Sequence, residues 1–145
     1  FGPGDFNLNR IIPETIISLI NNKRIKIRSS GKLVRDYLYV DDAVNAYYMI
    51  MKTLEKYKNK KLLIYNVGSK YNLSVLKLVN LILDLMKKKH LKPIIMNKSK
   101  QEINFQKLND AKIKRELGWK QKVSLKSGLL KTIRWYQDNY KLIKK

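Results

Sequence analysis

Apolar side chains recur every three to four residues in several stretches of this chain, which is the spacing of one buried helix face. The pattern predicts helices over residues 10–21, 43–54, 75–86, 110–117 and 125–140. Asp41 or Asp42 would cap the second helix and Ser74 the third, because short polar side chains accept bonds from the free N–H groups of a first turn. Gly118 would end the fourth.

Strands are predicted where apolar residues alternate or run without interruption. Residues 25–28 alternate, residues 34–40 are rich in β-branched and aromatic side chains, and residues 93–96 suit a short strand. Residues 62–67 form an apolar run that ends at Gly68, which is typical of a parallel strand buried on both faces. We therefore expect an α/β fold.

The run at 62–67 also indicates that the chain is part of a larger protein. A parallel strand needs parallel neighbours that are joined through crossover helices, and the rest of the sequence offers too few strands for such a sheet. Phe1 to Asp5 carry neither an initiator Met nor a signal-peptide layout. We expect residues 1–145 to form one domain whose sheet is completed by sequence outside the chain.

A net charge of +21 would by itself favour a nucleic-acid-binding protein, but the composition behind that charge does not. The excess is 26 Lys against 6 Arg, whereas nucleic-acid readers rely on Arg and interleaved aromatics, so a solvated lysine-rich surface is favoured over nucleic-acid binding. A basic nucleic-acid-binding module stays open as a distant alternative. Zero cysteines fit a cytoplasmic protein, no apolar run is long enough for a membrane span, and no metal site is expected. His90 follows three lysines at a helix end and suits a surface position.

Six short segments occur in an order that resembles a known family. They are Phe-Gly-Pro-Gly-Asp at 1–5, Arg-Ile-Ile-Pro at 10–13, Arg-Ser-Ser-Gly at 28–31, Val-Arg-Asp-Tyr-Leu-Tyr-Val-Asp-Asp-Ala at 34–43, Tyr-Asn-Val-Gly at 65–68 and Leu-Gly-Trp-Lys at 117–120. The chain resembles the C-terminal part of the extended short-chain dehydrogenases/reductases, the NAD-dependent epimerase/dehydratase family. Gln101, Glu102, Ile103 and Gln106 make it most similar to the CDP-glucose 4,6-dehydratases.

The resemblance implies the substrate-binding portion of a Rossmann-type enzyme, with the final strand of the parallel sheet but without the Gly-rich half that binds NAD. The six glycines include no Gly-rich dinucleotide fingerprint. The implied reaction converts CDP-glucose to CDP-4-keto-6-deoxyglucose. Alternatives are a dehydratase or epimerase that acts on GDP-mannose, dTDP-glucose or a UDP-sugar. The full-length protein is expected to be a cytoplasmic homodimer.

The resemblance also implies which residues bind the nucleotide sugar. Arg suits this task because its planar fork grips phosphate oxygens in pairs, and this chain uses Arg rarely. Arg35 would contact the diphosphate, although an ion pair at a strand edge is the structural alternative. Phe1 and Gly2 would lie near the cofactor. The expected substrate-binding residues are Arg10, Ile11, Arg28, Arg35, Asn66, Gln101 and Glu102.

Catalytic residues are expected upstream of Phe1. The family uses a Tyr-x-x-x-Lys pair in which Lys lowers the pKa of the Tyr base. That spacing occurs here at Tyr48/Lys52, Tyr57/Lys61 and Tyr140/Lys144, about as often as chance predicts for 9 Tyr among so many Lys. None follows a strand that carries Ser or Thr, so none is assigned a role.

Overall fold

The computed structural model describes residues 1–56, 62–98 and 102–143. Within these ranges helices and short strands alternate, which confirms the predicted α/β class. The helices are α1 (Ile11–Ile20), α2 (Val40–Lys56), α3 (Val75–Leu85), α4 (Ala111–Leu117), α5 (Leu125–Asp138) and α6 (Tyr140–Ile143). The strands are β1 (Lys26–Ile27), β2 (Val34–Asp36), β3 (Asn72–Ser74) and β4 (Ile94–Ile95).

The main core lies between α1, α3 and α5. Each helix contributes the apolar face that its sequence period predicts, with Ile16, Leu78, Ile82 and Leu129 fully buried. Full burial of such a side chain contributes about 1.5–3 kcal/mol, so this contact fixes the orientation of α1. A second, smaller cluster is formed by Ala46, Ile113 and Trp119.

The strands pair to form two small sheets. β1 pairs in parallel with β4, and β2 pairs antiparallel with β3, where Arg35 lies opposite Leu73 and Asp36 opposite Asn72. β3 leads directly into α3, and the Ser74 hydroxyl accepts a bond from the Lys77 N–H at 3.3 Å, so the predicted cap is confirmed. The strands at 25–28 and 93–96 are confirmed as β1 and β4.

The predicted cap of α2 is wrong. The helix begins at Val40, so Asp41 and Asp42 lie in its first turn rather than at its N-cap. Asp42 is 2% exposed, and its carboxylate accepts bonds from the N–H groups of Lys122 at 2.8 Å and Val123 at 3.0 Å. The side chain therefore joins α2 to the loop before α5 instead of satisfying its own helix.

The apolar face predicted for α2 is mostly exposed. Val44, Tyr47 and Met51 have exposed fractions of 59%, 74% and 47%. Ala46, on another side of the helix, is the α2 residue that is buried in the small cluster. The described residues do not cover this apolar face. The helix was therefore predicted correctly, but the burial of its apolar face was not.

The expected strand at 62–67 forms no ladder with any of the described residues. Its exposure alternates: Leu62 and Ile64 are 81% and 65% exposed, whereas Leu63, Tyr65 and Val67 are half-buried. A strand is stabilised only by a partner strand, and the described part of the chain places none beside this segment.

The carboxyl-terminal elements follow the predicted boundaries closely. α4 ends at Gly118, whose φ of 67° is the left-handed conformation that Gly adopts without strain. α5 begins after Ser124, whose hydroxyl accepts from the Ser127 N–H, and it ends at Asp138, two residues before the predicted end. No helix in the described ranges has the length and apolar character needed to cross a bilayer.

Candidate functional site

A groove beside the first turn of α1 brings together three of the residues predicted to bind substrate. This α1–β1 groove has a volume of about 170 Å³. Ile11, Arg28 and Glu102 all contribute to it, although Glu102 lies more than 70 residues away from Arg28 in the sequence. The lining residues are Asn9, Ile11, Glu14, Lys26, Ile27, Arg28, Ser29, Val75 and Glu102.

Two arginine–glutamate pairs lie at this groove. Arg28 Nη2 is 2.9 Å from Glu14 Oε2, and Arg35 Nη2 is 3.1 Å from Glu102 Oε2. Arg35 also donates to the carbonyl oxygens of Val34 at 3.0 Å and Ile103 at 2.6 Å, and its side chain is 23% exposed. Arg35 itself is not among the residues that line the groove. The ion-pair alternative considered for Arg35 is therefore present in this structure, with Glu102 as the partner.

Backbone hydrogen bonds hold the segment that carries Glu102 against β2. The Val34 N–H donates to Asn104 O at 2.9 Å, and the Gln106 N–H donates to Val34 O at 3.1 Å. Val34 and Phe105 form a parallel bridge. Glu102 is thus fixed relative to Arg35 by main-chain contacts as well as by its ion pair. Gln101 lies outside the described residues.

A second concave region, the amino-terminal groove, also includes a residue at the start of α1. It has a volume of about 380 Å³, and Phe1, Gly2 and Arg10 line it together with Pro3, Gly4, Asp5, Leu38, Val40 and Ala43. Arg10 Nη1 is 3.1 Å from Asp5 Oδ2. The side chain of Arg10 is 67% exposed and remains accessible to an anion.

Phe1 and Gly2, which were predicted to lie near the cofactor, pack closely against the chain's own residues. A Cβ on Gly2 would lie 2.4 Å from Val40 Cγ1, so the absence of a side chain there permits close packing with the chain's own α2. Val40 N–H donates to Phe1 O at 2.8 Å, and the Phe1 ring packs edge-on against Tyr39. Phe1 and Gly2 therefore contribute to the wall of the groove.

The N-terminus of α1 contributes residues to both grooves, Ile11 to the α1–β1 groove and Arg10 to the amino-terminal groove. Arg10 is its N-cap residue and makes no side-chain capping bond, and Ile11 begins the first turn. Free N–H groups and the positive end of the helix dipole favour an anion at such a position. An extended ligand with a central anionic group could therefore contact both grooves at once.

Asn66 is not part of these grooves. It is exposed, and it lines a separate cavity of about 290 Å³ between α2 and residues 65–67, which we call the α2 groove. Tyr47, Ile50, Tyr65 and Leu108 are among its other lining residues. The structure thus separates Asn66 from the Ile11, Arg28 and Glu102 group.

Two carboxylates near the site were missed by the sequence analysis. Glu14 shares a helix face with Ile11, and that three-residue spacing could have indicated it. Asp36 accepts bonds from the N–H groups of Ser69 at 2.7 Å and Leu108 at 3.3 Å. It joins β2 to the end of the 62–68 segment and to the segment after Glu102, a role with no local sequence signal.

Tyr37 is unsuited to act as a base. Its hydroxyl is buried and has no hydrogen-bond partner within the described residues. Burial raises the pKa of Tyr37 to about 12, and the nearby positive charge of Arg35 offsets this only in part. The phenol therefore remains protonated near neutral pH. In the described part of the chain, no group of three His, Asp or Glu side chains is placed to hold a metal ion.

Comparison with known proteins gives a consistent result across the whole chain. A family model described as GDP-mannose 4,6 dehydratase matches residues 4–132. The chain is 32% identical to dTDP-D-glucose 4,6-dehydratase of Homo sapiens over 97% of its own length and 40% of the relative. It is 30% identical to a trifunctional enzyme of Arabidopsis thaliana whose name includes UDP-glucose 4,6-dehydratase, covering 96% of this chain and 20% of that relative.

Solved structures share the fold. A dTDP-glucose 4,6-dehydratase of Streptomyces venezuelae, solved with NAD bound, matches with a TM-score of 0.86 at 24% identity, over 98% of this chain and 42% of that one. A UDP-glucose 4-epimerase of Thermotoga maritima matches with a TM-score of 0.83 at 25% identity, over 97% and 44%. The chain thus spans about two fifths of the length of the human relative and of these two enzymes.

Proposed function

The chain belongs to the GDP-mannose 4,6-dehydratase family, and we propose that it forms the substrate-binding, carboxyl-terminal part of an NAD-dependent nucleotide-sugar 4,6-dehydratase. The observation that carries the proposal is the 32% identity to a dTDP-glucose 4,6-dehydratase over 97% of the chain. The presence of two grooves that both include residues from the start of α1 supports it.

The geometry suits a ligand with three parts in a row. In the proposed complex the nucleoside lies in the α1–β1 groove, with Ile11, Arg28 and Glu102. The diphosphate crosses the N-terminus of α1, where Arg10 and the free N–H groups of the first turn stabilise its charge. The hexose then lies in the amino-terminal groove, beside Phe1. This chain's contribution to the reaction is orientation, because a sugar held at both ends presents its ring in one position.

The oxidation and elimination steps belong to sequence outside this chain in our proposal. The described residues offer no dinucleotide cradle, and Tyr37 holds its proton too firmly to serve as the base. NAD, when bound by the rest of the protein, would supply the hydride chemistry. The homodimer and the cytoplasmic location expected from the sequence stay predictions.

We propose a pyrimidine-nucleoside diphosphate glucose as the substrate. The names of the relatives include dTDP-glucose and UDP-glucose, and the sequence resemblance favours CDP-glucose. These three nucleotides share a pyrimidine ring and the same diphosphate linkage to C1 of glucose, so one arrangement of the two grooves serves all of them.

The test is to express the complete protein that contains this chain and to supply NAD with CDP-, dTDP- or UDP-glucose or GDP-mannose. We expect a product that has lost one molecule of water, detected by mass spectrometry. Arg10→Ala should raise KM more than it lowers kcat, because Arg10 contacts the charged linkage rather than the reacting carbons. Loss of water from none of the four sugars would contradict the proposal.

A 4-epimerase is the second candidate, because the epimerase of Thermotoga maritima shares the fold with a TM-score of 0.83. An epimerase leaves the mass of the sugar nucleotide unchanged and inverts one hydroxyl. The same mass spectra, combined with chromatographic separation of glucose from galactose after hydrolysis, distinguish the two reactions.

A further inference from the structure

We propose that the α1–β1 groove selects a nucleobase that carries an exocyclic amino group, which among the pyrimidines is cytosine, and that Glu102 is the selecting residue. The inference rests on the proposed function, since it assumes that this groove receives the nucleoside. It goes further by assigning the choice of base to one side chain.

Glu102 is held in place at the groove as a hydrogen-bond acceptor. Its Oε2 is 3.1 Å from Arg35 Nη2, and Arg35 is itself fixed by the carbonyl oxygens of Val34 and Ile103. Within the described residues, Oε1 of Glu102 takes part in no hydrogen bond. A carboxylate accepts at both oxygens, so Glu102 has one oxygen available to a ligand while it remains paired.

The free oxygen distinguishes the pyrimidines by whether the group at C4 donates or accepts a hydrogen bond. Cytosine presents an amino group there, which donates to a carboxylate. Uracil and thymine present a carbonyl oxygen, which has no hydrogen to donate and is repelled by the negative charge. Carboxylate recognition of this kind gives a preference of about ten- to a hundredfold for the amino base.

The remaining walls suit a flat ring. Ile11, Ile27 and Val75 supply apolar side chains. The volume of about 170 Å³ is below the roughly 300 Å³ at which pockets for whole small ligands begin, which fits one ring better than an entire nucleotide. Acidic residues are scarce in this chain, with 11 Asp and Glu against 32 Lys and Arg. Two of them nevertheless line this small groove, each paired with an arginine.

A carboxylate could instead accept both hydroxyls of the ribose, so the experiment varies base and sugar independently. Binding of CDP, dCDP, UDP and dUDP to the complete protein is measured by isothermal titration calorimetry. We expect CDP and dCDP to bind with similar affinity, each about ten- to a hundredfold more tightly than the uracil nucleotide with the same sugar.

Glu102→Gln should reduce the cytosine preference to about twofold or less, because an amide can turn to donate to the uracil carbonyl. Asp138→Asn is the matched control: it makes the same carboxylate-to-amide change at an exposed site at the end of α5 and should leave the preference intact.

Three results would overturn the inference. The first is a preference for ribose over deoxyribose with no preference between cytosine and uracil. The second is a cytosine preference that survives Glu102→Gln. The third is the absence of binding for all four nucleotides. None of these results removes the proposed function, which is contradicted only when none of the four nucleotide sugars loses water.

Discussion

Asp41 and Asp42 are adjacent in sequence and occupy opposite environments in the first turn of α2. The side chain of Asp41 is 60% exposed, and its carboxylate lies 3.7 Å from Lys131. Asp42 is buried and accepts two backbone N–H bonds from the loop before α5. Its own carbonyl oxygen also accepts from the indole N–H of Trp119 at 3.2 Å. Asp42 therefore joins α2 to the small core cluster.

We predict that Asp42→Ala lowers the free energy of unfolding by about 2 kcal/mol, because two N–H groups lose a charged acceptor. Asp41→Ala is the control and should change it by less than about 0.5 kcal/mol, since an exposed ion pair contributes little. Urea denaturation of the complete protein measures both variants. Equal effects of the two substitutions would show that Asp42 is not the connecting residue we describe.

At the residue scale, the sequence predicted local features such as the Ser74 cap of α3 and missed contacts that depend on distant partners, and the binding roles of the predicted site residues stay predictions. The sequence singled out Ile11, Arg28 and Glu102, and the structure places all three in one groove. It could not indicate that Glu102 pairs with Arg35, because 67 residues separate them and nothing in either local sequence specifies the contact.

Element-scale prediction depended on whether a partner element is present in the chain. The helical periods of α1, α3 and α5 were confirmed because these helices bury their apolar faces against one another. The same reasoning gave the right element but the wrong burial for α2, and for residues 62–67 it predicted a strand that the described residues do not form. Apolar periodicity reports which face avoids water, and it does not report whether the covering surface belongs to the same stretch of sequence.

The packing of α5 against Tyr39 depends on the absence of a side chain at Gly128. A Cβ there would lie 2.7 Å from Tyr39 Cδ2 and 3.1 Å from Phe1 Cζ. The Tyr39 ring is 3% exposed and also contacts Phe1, so it has little room to move. Gly128 thus allows the helix to approach the segment that precedes α2.

Gly128→Ala should destabilise the protein by up to about 2 kcal/mol. Alanine gains about 1 kcal/mol of helix propensity over glycine, but overpacking against a buried ring costs about 1–3 kcal/mol. The neighbouring exposed Ser127→Ala is the control and should stay within about 0.5 kcal/mol of the parent. A rise in the thermal unfolding midpoint of Gly128→Ala would mean that propensity outweighs the contact.

At the scale of the whole molecule, one apolar surface is not covered by any of the described residues. The exposed apolar face of α2 adjoins the 62–67 segment across the α2 groove, to which Tyr47, Ile50 and Tyr65 contribute. Exposed apolar surface next to a segment that forms no strand ladder with the described residues is what a sheet with its own helices would cover. The human relative and the matched solved enzymes are more than twice as long as this chain, which is consistent with such a cover.

We predict that residues 62–67 become a paired strand in the complete protein. Hydrogen–deuterium exchange followed by mass spectrometry should show slow exchange of their amides there, because ladder hydrogen bonds protect amides from solvent. In the 145-residue chain expressed alone, the same amides should exchange rapidly, whereas those of α3 should remain protected. Ile64→Asp should restore rapid exchange at 62–67 in the complete protein, since a charge on that side of the segment opposes burial. Lys126→Asp, at an exposed position of α5, is the control and should not. Rapid exchange of 62–67 in the complete parent protein would place the missing sheet elsewhere and leave the apolar face of α2 as a surface for a different partner.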